Sequence, residues 1–191
     1  MRVLTSSEIR LILRTISPRS PFGVRDRFML VLLLHTGLRV SEICGLTVAD
    51  VAQWSAPRKM LDLPAYLGKG GRARLIPLNA SAREAVSTLL RFNQARGFST
   101  APGAPLLVTR LGAALPVRTF QHLVQRYREA AGLSPRITPH AFRHTMATEL
   151  VKTTGNLRVA QAILGHERLN TTQVYTHPSP RELERAMDTI G

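Results

Sequence analysis

Cysteine occurs once in the 191 residues of this chain, at Cys44. A single thiol excludes an intrachain disulfide and argues against a thiolate metal cage, and the neighbours Ile43, Gly45 and Leu46 mark it as a small core residue. Acidic side chains are scarce too: 12 Asp and Glu stand against 26 Lys and Arg, a formal charge of +14. Such an excess requires strong solvation or a polyanionic partner, and nucleic acid is the leading one. No apolar stretch is long enough to cross a bilayer, since the longest, Phe28 to Leu34, stops at His35. The N-terminus shows no signal-peptide pattern, because Thr5-Ser6-Ser7-Glu8 reads as a helix capping box, and no polybasic stretch adjoins an amphipathic anchor. A cytoplasmic chain without a membrane partner is therefore expected. Internal repeats and long disordered tracts are missing as well. The length, with 44% hydrophobic residues, suits one domain with its own core.

Apolar spacing organises the chain into helices and one small sheet. Ile9, Ile12, Leu13 and Ile16 follow the Thr5 to Glu8 start and stop at Ser17-Pro18, predicting a helix over 5–16 with a basic outer face. The apolar stretch predicts a central buried helix over 22–36 ended by Gly37, and 40–44 a short helical turn bearing Glu42. Strands are expected at 59–63 and 72–78, joined as a β-hairpin by the glycine-rich Pro64 to Gly71 segment; Gln53 to Pro57 reads as a loop. Asn79 caps an amphipathic helix over 79–96 whose inner face is Ala82, Ala85, Val86, Leu89 and Leu90. Further helices are expected over 118–131, from Thr138-Pro139 to Lys152, over 156–164, after Asn170 where a short helix carries Tyr175, and over 181–188. The fold class is thus mainly α with a small antiparallel β-sheet, α+β.

Three patterns bear on chemistry. The three tyrosines are Tyr66, Tyr127 and Tyr175. A phenol with its ordinary pKa of about 10 is ionised only to the order of a thousandth at neutral pH, so it needs help to attack phosphorus. His140 and Arg143 stand three apart and share a helix face. His140 and His144 have a spacing used for zinc, but no glutamate lies between them and the Arg143 cation opposes a metal, so no metal site is expected. Gly68-Lys69-Gly70-Gly71 sits between strands and lacks the Gly-x-x-x-x-Gly-Lys-Ser/Thr pattern of a nucleotide-binding loop.

Thr36-Gly37-Leu38-Arg39-Val40-Ser41-Glu42, then Thr138-Pro139-His140-Ala141-Phe142-Arg143-His144, then the run from Leu164-Gly165-His166 through Thr171-Thr172 to Tyr175 lie in this order along the chain. Together they resemble the signature boxes of the tyrosine recombinase (phage integrase) family, in its Xer-like branch, and the likeness extends over about 5–188. The resemblance implies the catalytic-domain fold of that family and cutting and rejoining of double-stranded DNA through a 3′-phosphotyrosyl link, with neither metal nor high-energy cofactor. By motif position it implies Tyr175 as nucleophile and Arg39 and Arg143 on the phosphate, where the planar guanidinium suits a paired-oxygen ligand. It further implies His140 accepting or relaying the phenol proton, His166 donating to the phosphate, Lys69 as general acid, and Glu42 supporting the arginines. Arg72 and Arg74, beyond the hairpin tip, are candidates for contact with the DNA backbone, with a place on the solvated surface as the alternative.

Residues 1–191 are then expected to form a single catalytic domain, without the N-terminal core-binding domain of most relatives. The chain is expected to be a monomer when free and a tetramer on DNA, with the helix at 181–188 folded back or exchanged between protomers. Two other readings of the same boxes are a type IB topoisomerase, which relaxes DNA without exchanging strands, and a non-catalytic DNA-binding regulator.

Overall fold

The computed structural model describes residues 2–68, 70–165 and 180–189. Helix α1 (Ser6–Thr15) starts at Thr5, whose side chain accepts the Glu8 N–H while Glu8 returns a bond to the Thr5 N–H. Helix α2 (Gly23–Thr36) forms the centre: Met29, Leu30, Leu32 and Leu33 are fully buried, and α5 and α7 pack against it. A helix apolar on most of its faces belongs inside the fold, and only Arg27 of this one is exposed. One turn of it carries charge. Asp26 accepts from the Arg25 guanidinium and, at 2.6 Å, from the Tyr127 hydroxyl, so a buried carboxylate is satisfied by neighbours rather than by water.

Helix α3 (Val40–Gly45) follows at once and α4 (Val48–Val51) after it. Two small hairpins come next. Strands β1 (Ala52–Gln53) and β2 (Ala56–Pro57) pair across Trp54 and Ser55, both at positive φ (52° and 63°), the geometry of a tight two-residue hairpin turn. The segment read as a loop from sequence is this miniature hairpin, and α4 has no counterpart in that reading; both elements are too short for a periodic signal. Strands β3 (Met60–Leu63) and β4 (Arg74–Pro77) form the expected antiparallel pair, in register Leu63↔Arg74 to Met60↔Pro77. The second strand is shorter than the expected 72–78, because β3 ends at Leu63 and offers Arg72 and Ala73 no partner.

Helix α5 (Ala80–Ala95) is capped by Asn79, whose side chain accepts the Ala82 N–H at 2.9 Å, and all five expected core positions are buried. Helices α6 (Val117–Ala130), α7 (Pro139–Thr154), α8 (Leu157–Leu164) and α9 (Pro180–Asp188) complete the described chain. Pro139 opens α7 at its first position. Helix α9 packs on α7, α8 and β4 of its own chain through Ala186 and Met187, and Asn79 donates to the Met187 carbonyl at 3.2 Å. The architecture is mainly helical with small antiparallel sheets.

The turn at Gly37 sets the site that follows. It ends α2 at φ 61°, its N–H bonded to the Leu33 carbonyl, and a Cβ there would lie 2.7 Å from Leu164 Cδ2 and 3.0 Å from Met146 Sδ. Gly155 ends α7 in the same conformation, φ 65°, with open space where a Cβ would stand. Gly37→Ala is therefore expected to cost about 2 kcal/mol or more, from left-handed strain plus overpacking. Gly155→Ala should cost the strain alone, about 1 kcal/mol. Urea midpoints of the two variants measure the difference, and equal losses would remove the packing argument.

Candidate active site

Glu42 stands in the first turn of α3 and is wholly buried. A carboxylate out of water is costly unless its lone pairs are matched. Four donors match it: the Arg39 main-chain N–H and Nη1, each at 2.7 Å, and the Arg74 fork, Nη1 to Oε1 at 3.0 Å and Nη2 to Oε2 at 2.8 Å. Burial by itself raises the carboxyl pKa, but the Arg74 hydrogen bond, the Arg39 main-chain bond and the Arg74 charge more than reverse this and hold it at about 2. An acid so held, with its oxygens saturated, is no proton acceptor at neutral pH. Its work is geometric.

Arg143 lies one turn into α7 and is buried as well. Its guanidinium donates through Nη1 to the Gly37 carbonyl and through Nη2 to the Leu164 carbonyl at 2.6 Å. Both acceptors are neutral. Burial first, and then the Arg39 charge, lower its pKa to about 10; Glu42 opposes that and Arg74 adds to it. It remains protonated at neutral pH. Three guanidinium groups thus surround one carboxylate and leave two positive charges in a partly dry setting, where Coulomb interactions exceed those in water. An anion brought here meets fixed donors that need no rearrangement.

Access is from the Arg39 side. The Arg39 side chain is 21% exposed, against 0% for Glu42, and Arg39 lines a cavity of about 480 Å³ between α3, α6 and α7, with Val40, Gln121, Val124, Arg128 and His140 in its wall. His140, at the second position of α7, is exposed and borders a second cavity with Arg2 and Arg136. The fold therefore gathers Arg39 and Glu42 with Arg143, which lies about a hundred residues further along the chain, and brings His140 to the cavity that Arg39 opens on. Lys69, His166 and Tyr175 lie outside the described residues. Arg72 is exposed beyond the hairpin tip.

Arg74 differs from its expected place on a DNA backbone. In β4 it shares the inward face with Ile76 while Leu75 points out, so strand alternation delivers its guanidinium to Glu42. The signal was in the sequence: an arginine two residues before a core isoleucine in a strand faces the way that isoleucine faces. The two carbonyls that hold Arg143 left no such signal, since any residue carries one.

The model of the phage integrase family matches residues 2–182. This chain belongs to the phage integrase family. Among relatives, it is 36% identical over 169 residues to tyrosine recombinase XerC of Vibrio campbellii (strain ATCC BAA-1116), covering 88% of this chain and 51% of the relative. To tyrosine recombinase XerD of Pseudomonas aeruginosa (strain PAO1) it is 35% identical over 184 residues, covering 95% and 59%. The chain thus spans little more than half the length of these relatives. Among solved structures, XerH site-specific recombinase in a post-cleavage complex with palindromic difH substrate superposes with a TM-score of 0.70 at 27% identity, covering 97% of this chain and 52% of that one. The catalytic core of lambda integrase shares the fold, with a TM-score of 0.65 at 24% identity, covering 87% of this chain and 96% of that one. No helix among the described residues is long and apolar enough to cross a membrane.

The Glu42 anchor has a pH signature. Its folded pKa is depressed, so its contribution to stability is complete above the ordinary value of 4.5 and is lost as pH falls toward about 2. Glu42→Gln is expected to lose about 3 kcal/mol at neutral pH, since it strips the counter-charge from two arginines. Its stability should also vary less than that of the unaltered chain between those two pH values, as read by urea unfolding across that window. An equally steep acid limb in the variant would assign the dependence to other carboxylates.

Proposed function

We propose that this chain is the catalytic domain of a tyrosine-type site-specific DNA recombinase, and that its doubly positive arginine cluster receives the scissile phosphate. The observation that carries this reading is buried Arg143 bound to neutral carbonyls beside Arg39 and the saturated Glu42, a cluster whose charge lacks only an anion. Family membership and the formal charge of +14 support it.

In this mechanism the Tyr175 hydroxyl attacks a DNA phosphorus. The new bond is Tyr Oη to P and the broken one is P to O5′. His140 accepts or relays the phenol proton, and Lys69 gives a proton to the departing 5′ oxygen, whose alkoxide is otherwise a poor leaving group. Charge gathering on the non-bridging oxygens is met by Arg39, Arg143 and His166. The 3′-phosphotyrosyl link keeps the bond energy, so a 5′-hydroxyl from a partner duplex reverses the step and joins the strands anew without nucleotide or metal. The working assembly is a tetramer on DNA formed from free monomers, with the C-terminal helix available for exchange between neighbours.

A nicked duplex carrying the protein's target site tests the reading, because the nick lets the cut 5′ fragment diffuse away and traps the adduct. A covalent protein–DNA species is expected, and Tyr175→Phe should abolish it; an adduct that persists in that variant would refute Tyr175 as nucleophile. Transfer of a labelled strand between duplexes separates exchange from relaxation. Lys69→Ala should slow cleavage by about a hundredfold or more, in the range of general acid catalysis. A 5′-bridging phosphorothioate, whose sulfur leaves unprotonated, should restore most of that rate. Binding is expected to weaken steeply with salt as counterions return to the phosphates.

A further inference from the structure

Resting on the recombinase reading, we propose that Arg74 is a positioning residue for the phosphate-binding arginines, acting through Glu42, and does not itself hold DNA. Its side chain is enclosed. The planar end makes the paired bond to both Glu42 oxygens, Nε donates to the Ile163 carbonyl at 3.1 Å, and only 11% of the side chain is exposed. Gly165 provides the last wall: a Cβ there would lie 3.2 Å from Arg74 Cδ and 3.3 Å from Nη1. Unlike Arg143, whose two acceptors are neutral carbonyls, Arg74 spends its fork on a carboxylate that cancels its charge and its Nε on Ile163, and so has little left to offer a phosphate.

The bridge joins three parts of the fold. Arg74 opens β4, the strand that follows the Lys69 segment in sequence; Glu42 belongs to α3, which begins just after Arg39; Ile163 is in α8, one residue before the Leu164 whose carbonyl holds Arg143. Glu42 Oε1 is shared between Arg39 Nη1 and Arg74 Nη1. The Arg74 fork fixes the plane of the carboxylate, and the plane fixes where the Arg39 guanidinium lies. Without Arg74 the carboxylate stays held at Oε2 by the Arg39 main-chain N–H but can turn about that bond, carrying the Arg39 guanidinium on Oε1 with it. Arg74 also bonds to α8 on the one side and to α3 on the other, so it holds the separation between the two elements that carry Arg39 and support Arg143.

Charge and geometry make different demands. If Arg74 served only by adding a positive charge near the phosphate, lysine would replace it; if it works by its planar fork, lysine would not, because an ammonium is a point donor. A direct DNA contact predicts something else again, a uniform loss of affinity and a salt slope smaller by about one.

The experiment measures single-turnover adduct formation at saturating protein on the nicked duplex, with DNA affinity at several salt concentrations, below the melting temperature of every variant. Arg74→Gln and Arg74→Lys are both expected to form adduct about fivefold or more slowly than the unaltered chain, at unchanged affinity and salt slope. In a Glu42→Gln background, where the carboxylate that Arg74 acts through is already gone, adding Arg74→Gln should produce no further loss of rate. Lysine restoring the rate to within that margin, a reduced salt slope, or additive losses in the double variant would each overturn the inference. Adduct formation by the unaltered chain at a rate Arg74→Gln matches would sink it alone; no adduct from the unaltered chain would sink the recombinase reading and this inference with it.

Discussion

One buried carboxylate organises the cationic end of this molecule. Glu42 is out of water and answers for its burial with four hydrogen bonds, all from arginine. Like-charged side chains do not gather unaided, and Arg39, Arg74 and Arg143 would separate if each were solvated alone. The carboxylate holds two of them directly and eases the burial of the third. A single negative charge is enough to assemble the group and too little to neutralise it, which leaves a place that an anion completes.

The scaffold serves that arrangement through two carbonyls as much as through side chains. Gly37 ends the central helix and turns its carbonyl to Arg143; Leu164 ends α8 and does the same from the other side. Since Leu164 also fills the space a side chain at Gly37 would occupy, the helix ends and the arginine are packed as one unit. A guanidinium held by neutral acceptors keeps its full charge for a ligand. Carboxylate partners in the same positions would cancel it.

Much of this was legible along the chain. The capped starts at Thr5 and Asn79, the apolar α2, the amphipathic α5 and the β3–β4 hairpin follow from spacing and capping chemistry, which act over a few residues. The order of the motif boxes identified the family, and the arginines and the glutamate in them do meet. What escaped was short or distant. The β1–β2 hairpin and α4 hold too few residues to show a period, and their conformation is set by the chain on either side.

The sequence by itself determined the helical framework, the excess of positive charge and which residue types stand in the motifs, because those depend on local propensity and on composition. Tertiary structure alone decided that the inward-facing Arg74 meets Glu42 while Arg39 opens on a cavity, and that Arg143 is held by carbonyls from α2 and α8. The reason is physical: a guanidinium carries the same charge wherever it stands, and only the acceptors that folding brings to it, from residues far away in the chain, fix whether it anchors a carboxylate or waits for a phosphate.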